Sequence, residues 1–136
     1  MFDSKVYNDG MLIVGKMSGV IAPQSFINGI FWQIDSRNVG VVKDGFSQLY
    51  YDDDVHRVDV TEADIRRIAE FNSGIGANVG KFRTALVLRH PEVIRLAKIH
   101  QALAKEHGYE VEIFSVLQDG FDWLGCENPE PDKIKV

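Results

Sequence analysis

The sequence predicts an α/β domain with a four- to five-stranded mixed, largely parallel sheet and about four helices. This prediction depends mainly on the last third of the chain. The apolar run Thr84–Leu88 has the length of a buried strand, and Pro91 then opens an apolar-periodic segment that Gly108 closes. A second run, Val111–Phe114, leads into a final helix that ends at Gly125. Strands that alternate with helices need crossover connections, which make neighbouring strands parallel and place helices on the sheet faces.

The N-terminal part predicts a two-stranded hairpin followed by an amphipathic helix. Short segments of strand-forming residues at 5–7 and 11–14 flank Asn8-Asp9-Gly10, whose Asp-Gly pair supplies the positive φ of a tight turn. Pro23 suits the first turn of a helix, and large apolar residues then recur at spacings of three and four. These residues are Phe26, Ile27, Ile30, Phe31 and Ile34. The helix is expected to end near 35–38.

The middle of the chain predicts a strand and a capped helix. Val39–Val42 is open to two interpretations, a short strand or a loop, whereas Phe46–Tyr51 is predicted as a strand. Thr61 and Asp64 form a capping box, in which the threonine oxygen accepts from an early helical N–H and the acid reaches back. Ser73-Gly74 is expected to end this helix in a left-handed conformation.

The glycine-rich segment Gly74–Gly80 is interpreted as a helix stop with a flexible connection. Its glycines would let backbone N–H groups approach a phosphate, but a phosphate-binding loop follows a strand and opens a helix. Here the predicted order is the reverse. If the connection is mobile, it could serve as a lid.

Composition is that of a single domain. The chain has 136 residues, 45% hydrophobic, which is enough for one core. We expect one domain over 1–125 and a polar tail over 126–136 that frays or lies on the surface. The formal net charge of −5 opposes attraction to a polyanion, so nucleic acid is not an expected partner.

The expected cellular location and the expected chemistry of the cysteine depend on features that the sequence lacks. No apolar run approaches the roughly 20 residues needed to cross a bilayer. The N-terminus also lacks the basic-then-apolar order of a signal peptide. We therefore expect a cytoplasmic protein without membrane insertion. The single cysteine, Cys126, has no partner for an internal disulfide and no spacing for zinc, so it is interpreted as incidental. No cofactor is expected, and no metal in the favoured interpretation.

The densest cluster of chemically active side chains is Asp52, Asp53 and Asp54 with His56. It follows the predicted strand at 46–51, at the edge where open α/β sheets bind ligands. One interpretation is a ligand or ion site. The other is a solvated acidic loop, because hard-cation sites usually take their acids from alternate positions and Asp favours turns.

His100 is expected to be buried. It lies in the apolar stripe of the helix that Pro91 opens. Burial disfavours the imidazolium, so we expect a neutral ring with a lowered pKa, satisfied by a hydrogen bond.

The order of these elements, from Val6 to Gly125, resembles the SpoIIAA-like branch of the STAS superfamily, the fold of the anti-sigma-factor antagonists. The segments that carry the resemblance are the strand at 46–52, the helix at 61–68, the strand at 81–88, the helix at 95–99, and the ending at 111–114 with 121–124. The antagonists' Asp-Ser-Ser-Gly segment with its phosphorylated serine is absent. The chain is therefore more similar to the uncharacterised bacterial members. Thr61 is the nearest hydroxyl and the candidate phosphoacceptor, with capping as its alternative role.

Three functions are compatible with this resemblance. The favoured one is a non-enzymatic regulatory or protein-interaction module whose partner is another protein, such as a regulator. The second is a carrier of a small apolar ligand in a pocket similar to that of CRAL-TRIO domains, lined by Phe26, Phe31, Trp32 and the two tyrosines of the strand at 46–51. The third is a metal or acid–base enzyme at Asp52–His56. Because the first helix has more large apolar residues than one stripe needs, we also expect a homodimer in which Trp32 is the uncovered side chain.

Overall fold

The computed structural model describes residues 2–79 and 82–136, without the side chains of 75–79. These residues form a five-stranded sheet and four α-helices. The strands are β1 (Phe2–Tyr7), β2 (Leu12–Ile21), β3 (Ser47–Val58), β4 (Arg83–Val87) and β5 (Glu110–Phe114). The helices are α1 (Pro23–Asn38), α2 (Glu62–Val79), α3 (Pro91–His107) and α4 (Leu117–Leu124).

The sheet has the order β1-β2-β3-β4-β5. The β1–β2 pair is antiparallel, and each later pair is parallel. The predicted mixed, largely parallel α/β sheet is therefore confirmed. Its N-terminal hairpin turns at Asn8–Gly10, where all three residues have φ between 53° and 91°. This is the positive-φ turn expected from Asp9-Gly10.

Side-chain alternation along the strands separates two cores. On β2, Ile13 and Met17 join the core beneath α1, α2 and α3, whereas Leu12 and Val14 join a smaller core beneath α4. Each face of the sheet is thus covered. None of the helices in the described residues is long and apolar enough to cross a membrane.

β3 is longer than predicted. It continues to Val58 because β2 provides pairing partners as far as Ile21, and this pairing outweighs the low strand propensity of aspartate. Asp52–Asp54 and His56 therefore lie in a strand, and the interpretation as an acidic loop was wrong. The pairing is irregular around Gly19, and Asp54 has a φ of 59°.

α2 is also longer than predicted. It passes through Ser73-Gly74 and ends at Val79, so the expected helix stop was wrong. A glycine inside a helix costs only about 1 kcal/mol relative to alanine, which the rest of the helix can offset. Gly80 and Lys81 lie outside the described residues. In contrast, 39–42 forms no strand. Of the two alternatives for this segment, the structure therefore has the loop.

The C-terminal segment lies on the surface, anchored to the sheet, which is the second of the two expected arrangements and not the frayed one. Ile134 is only 5% exposed and joins the core beneath α4. Glu130 accepts hydrogen bonds from Lys5 Nζ at 2.6 Å and Tyr7 OH at 2.9 Å. These bonds lower the pKa of Glu130 to about 2. The boundary between a domain at 1–125 and a tail at 126–136 stays a prediction.

Candidate functional site

A cavity of about 110 Å³ lies between the sheet and the inner faces of α1, α2 and α3. Most of its wall is apolar. The apolar lining consists of Phe2, Met17, Ile21, Phe26, Ile30, Val58, Ile65, Ile68, Leu86, Leu88, Val93, Leu96 and Ala97. Its polar lining consists of Gln33, Gln48, Tyr50, Asn72, Thr84 and His100. A largely apolar cavity with a few converging polar groups is the usual form of a small-molecule site.

Local geometry explains why polar side chains enter this core. Gln33 lies three residues after Ile30 and seven after Phe26, so it shares the inner face of α1 with them. Gln48 lies between Phe46 and Tyr50 on the inward side of β3, because alternate strand residues point to the same face.

These side chains form a buried hydrogen-bond network. Gln33 Nε2 donates to Gln48 Oε1 at 2.7 Å and to Tyr50 OH at 3.1 Å. Gln48 Nε2 donates to Thr84 Oγ1 at 2.7 Å, across the β3–β4 pair where the two residues are in register. The network holds the Gln33 amide in one orientation.

One half of the Gln33 amide remains unpartnered. Gln33 is 6% exposed, and its Oε1 has no hydrogen-bond partner among the described residues. A buried acceptor without a partner costs about 1–3 kcal/mol. Sequence reasoning missed this network. The available signal was a glutamine at a core-facing position of an amphipathic helix, opposite a second glutamine on the inward side of a strand.

His100 contributes a second unpartnered polar atom to the cavity wall. Its Nδ1 is buried with no partner in the described part of the chain, and its ring centroid lies 5.9 Å from that of Tyr109. Burial lowers the pKa of His100 to about 4, so the ring is neutral at pH 7. The residue as a whole is half-buried, so the expected burial holds for the Nδ1 atom and not for the whole side chain, and the lowered pKa has the expected direction. The expected hydrogen bond is not found at Nδ1.

Acidification is expected to destabilise the protein through His100. The pKa of His100 is about 4 in the folded chain against 6.5 for the unperturbed group. The unfolded state therefore binds the proton first as the pH falls. The contribution of neutral His100 to the free energy of unfolding is therefore complete above pH 6.5. It declines as the pH falls from 6.5 to 4 and levels off below pH 4.

Urea unfolding at steps across this pH window measures the effect. His100→Gln should flatten the pH dependence between these two values. An NMR titration that places the pKa of His100 at or above 6.5 would contradict the expectation.

The three aromatic residues predicted for a pocket or interface occupy three different environments. Phe26 lines the cavity. Phe31 is 56% exposed. Trp32 is half-buried against the main core, at the edge of a shallow groove that it forms with Phe2 and Ser4. The expectation that Trp32 is the uncovered side chain was wrong: α1 turns Phe31 outward and Trp32 toward β1.

The acidic cluster at Asp52–His56 contains one buried carboxylate, and its other members are exposed. Asp52 is 4% exposed, and its carboxylate accepts from Arg89 N at 2.9 Å and His90 N at 2.8 Å. Asp53 and Asp54 are exposed, and His56 Nε2 lies 3.5 Å from Asp54 Oδ2. Within 2–79 and 82–136, no three His, Cys, Asp or Glu side chains are grouped to hold a metal ion. Asp52 therefore secures the connection from β4 to α3, and a ligand or ion site here stays a prediction.

Thr61 occupies the predicted capping box. Its Oγ1 accepts from Asp64 N at 3.2 Å and donates to Asp64 Oδ2 at 2.9 Å, and Thr61 N donates to the same oxygen at 2.9 Å. The bond from Thr61 N is the main reason why the pKa of Asp64 is lowered. A phosphate on Thr61 would lie beside this carboxylate and repel it. The hydroxyl thus has a capping role, and its role as a phosphoacceptor stays a prediction.

Comparison with known proteins supports the fold. No protein-family profile matches the sequence, and no curated protein is significantly similar to it. Among solved structures, an uncharacterized protein of the DUF3478 family from Shewanella loihica PV-4, described as having a SpoIIAA-like fold, matches with a TM-score of 0.53. The two chains are 15% identical, and the match covers 91% of this chain and 92% of that one. The chain therefore has a SpoIIAA-like fold.

Proposed function

We propose that this SpoIIAA-like domain is a non-enzymatic, cytoplasmic module that binds a small apolar ligand. The cavity between the sheet and α1, α2 and α3 carries the proposal. Apolar cavities of about 150 Å³ lined by Leu, Ile and Phe are known to bind benzene or xenon. A cavity of about 110 Å³ is of the same order, so its occupant is expected to be about the size of one ring. The fold supports the proposal only as a scaffold, because SpoIIAA-like architecture does not specify a function.

The chemistry of the wall supports binding rather than catalysis. Among the described residues that line the cavity, there is no Asp, Glu, Lys, Arg or Cys. A general acid or base works best with a pKa near the working pH. The pKa of His100 is about 4, and that of Tyr50 is raised, mainly by burial. Both groups therefore keep their neutral forms at pH 7.

Benzene is a suitable first probe because it tests the cavity without polar contacts. Wild-type protein is expected to bind it, with changes in the NMR signals of Ile68 and Leu96 and a rise in the melting temperature as its concentration increases. Native mass spectrometry of protein purified without added ligand then tests for a retained small molecule.

A matched pair of alanine substitutions on α3 locates the binding. Ala97 is buried in the cavity wall, so Ala97→Leu is expected to fill the space and weaken benzene binding at least tenfold. Ala102 is exposed on the same helix, so Ala102→Leu should leave binding unchanged. Wild-type protein that takes up no benzene, or an equal loss in both variants, would refute the proposal.

A regulatory protein-interaction module, acting through another protein or as a homodimer, is the second candidate. It is favoured by exposed apolar side chains along and after α1: Phe31 is 56%, Val39 75% and Val41 51% exposed. Sedimentation at tens of micromolar, on the order of common homodimer affinities, tests the homodimer. Phe31→Ser should dissociate a dimer, and Val116→Ser, at an exposed valine preceding α4, should not. If the wild-type protein is monomeric under these conditions, the homodimer is refuted, and the proposed partner is then a different protein.

A further inference from the structure

β1 forms one edge of the sheet. It pairs with β2 over its whole length without a register shift, and with no other strand of the described chain. Alternate residues of an edge strand direct their backbone N–H and C=O groups away from the sheet. β1 has neither a proline nor a bulge, which are common means of blocking an edge. This edge is therefore able to accept a further strand.

The charges along β1 complement themselves. Asp3 and Lys5 are exposed on the same face of the strand and flank Ser4. When a second copy of the chain pairs antiparallel to β1 about a two-fold axis at Ser4, Asp3 lies opposite the copy's Lys5. On the other face, Phe2 lies opposite the copy's Val6. The two-fold axis produces each of these pairs twice.

The same charges disfavour the neighbouring registers. Paired residues share a face of a continuous sheet, so the axis has to pass through a residue of β1 and not between two. With the axis at Asp3 or at Lys5, that residue lies directly opposite its own copy, and like charges in this position are destabilising. Of these three axis positions, only Ser4 places unlike charges opposite each other.

The opposite edge of the sheet, at β5, has no such pattern. Its exposed acids Glu110 and Glu112 are its only charged residues. An axis at Glu112 places this acid opposite its own copy, and an axis at Val111 places Glu110 opposite the copy's Glu112. Pairing between two copies is therefore opposed by charge in these registers of β5.

Lys5 remains available for a contact with the copy. Its Nζ lies 2.6 Å from Glu130 Oε1, yet 62% of its side chain is exposed. An ammonium group has three donors, so one bond to Glu130 leaves others for the copy's Asp3. The bond to Glu130 also restricts the lysine before the copy arrives, which lowers the cost of ordering it.

The surface beside β1 adds apolar area. The rings of Phe2 and Phe26 lie edge to face, with centroids 4.7 Å apart, so α1 covers β1 on one face. A shallow groove bordered by Trp32 lies between β1 and α1. A two-fold axis perpendicular to the sheet brings the copy's α1 and groove to the same face. Trp32 is also of the residue type that most often dominates interface energy.

We propose that the protein forms a two-fold homodimer in which β1 pairs antiparallel with β1 of a second copy about Ser4. The two five-stranded sheets then form one continuous sheet, and the Asp3–Lys5 pairs fix its register. This interface does not depend on ligand binding in the cavity. It also differs from the exposed surface of α1 at Phe31.

Two charge reversals and their mixture test the pairing. Asp3→Lys leaves only basic charges on the edge, and Lys5→Asp leaves only acidic ones. Each variant alone should therefore dimerise at least about tenfold more weakly than wild type. An equimolar mixture places bases opposite acids again and should recover the dimer. Sedimentation measures the affinities, and native mass spectrometry identifies the mixed dimer by its mass.

Glu112→Lys is the matched control, because it reverses an exposed charge on the other edge strand and should leave the dimer unchanged. A second measurement needs no variant. As the concentration of wild-type protein rises, the backbone amides of β1 should become more protected from hydrogen exchange, and those of β5 should not.

A wild-type protein that is monomeric at tens of micromolar, on the order of common homodimer affinities, would overturn the proposal and leave benzene binding in the cavity unaffected. Undiminished dimerisation of Asp3→Lys, or a mixture that stays monomeric, would overturn it as well. Loss of the dimer in Phe31→Ser but not in Asp3→Lys would place the interface on α1 instead. A failure to bind benzene would refute the ligand-binding function and leave the dimer intact.

Discussion

Asp52→Ala is expected to lower the free energy of unfolding by about 3 kcal/mol, since hydrogen bonds to a charged group contribute roughly 1.5–3 kcal/mol and an orphaned donor adds a penalty. The Asp52 carboxylate is buried and accepts from the backbone N–H groups of Arg89 and His90, just before Pro91 opens α3. Its removal leaves both donors without that acceptor. It also removes a negative charge near the N-terminus of a helix.

The neighbouring residue provides the control for this prediction. Asp53→Ala removes the same kind of side chain from an exposed position, so its effect should stay within about 0.5 kcal/mol. Chemical denaturation of both variants measures the difference. If both variants lose the same free energy of unfolding, Asp52 and Asp53 act together. That result would support a shared ion site at Asp52–His56.

Gly15→Ala is expected to destabilise the protein by about 3 kcal/mol, at the upper end of the usual cost of overpacking a core. An added Cβ would lie 2.2 Å from Tyr50 Cε1 and 2.4 Å from Tyr50 Cδ1. Because Gly15 and Tyr50 are paired in the β2–β3 register, the strands cannot separate to relieve the clash without breaking the ladder. The tyrosine ring has to move instead, and its bond with Gln33 is expected to break.

Two comparisons separate this clash from a general effect of the added methyl group. Gly74→Ala, in α2, places a Cβ that meets no atom of the described residues within 4 Å, apart from its chain neighbours and its own helix backbone, and should be neutral or stabilising by up to about 1 kcal/mol. The double variant with Tyr50→Ala should lose less stability than the sum of the two single variants, because the clash requires both side chains. Additive losses would show that Gly15 is needed for another reason.

The buried network and the cavity are connected through Gly15 and Tyr50. Tyr50 can occupy its position because Gly15 has no side chain, and Tyr50 in turn supports the amide of Gln33. Because Tyr50 and Gln33 line the cavity, Gly15→Ala is expected to weaken benzene binding as well as to lower stability. Asp52→Ala alters the connection to α3 and does not touch the network.

Local patterns were sufficient for most of the architecture. The Asp9-Gly10 turn, the proline starts of α1 and α3, the capping box at Thr61 and the strand at 84–88 each depend on residues within a few positions of one another. Such signals are readable from the chain because the turn, cap or period is complete within one segment. The alternation of strands and helices then constrains the sheet to be largely parallel.

Patterns that depend on a distant partner were misread. The acids at 52–54 have low strand propensity, yet β3 continues through them because β2 pairs with it as far as Ile21. Ile134 is one apolar residue in a polar segment, and it is buried because it joins the smaller core beneath α4. The outward turn of Phe31 and the half-burial of Trp32 depend on how α1 is rotated against β1.

The sequence by itself determined the fold class, the hairpin, the helix starts and the position of His100 on the apolar face of α3, because each follows from spacing and composition within one element. Only the tertiary structure decided that Gln33, Gln48, Tyr50 and Thr84 meet, that Asp52 is a buried acceptor, and that a cavity lies between the sheet and the three helices. These features arise where α1, β3 and β4 approach one another. A hydrogen bond depends on distances within a few tenths of an ångström between atoms that lie far apart along the chain, and no local period encodes such distances.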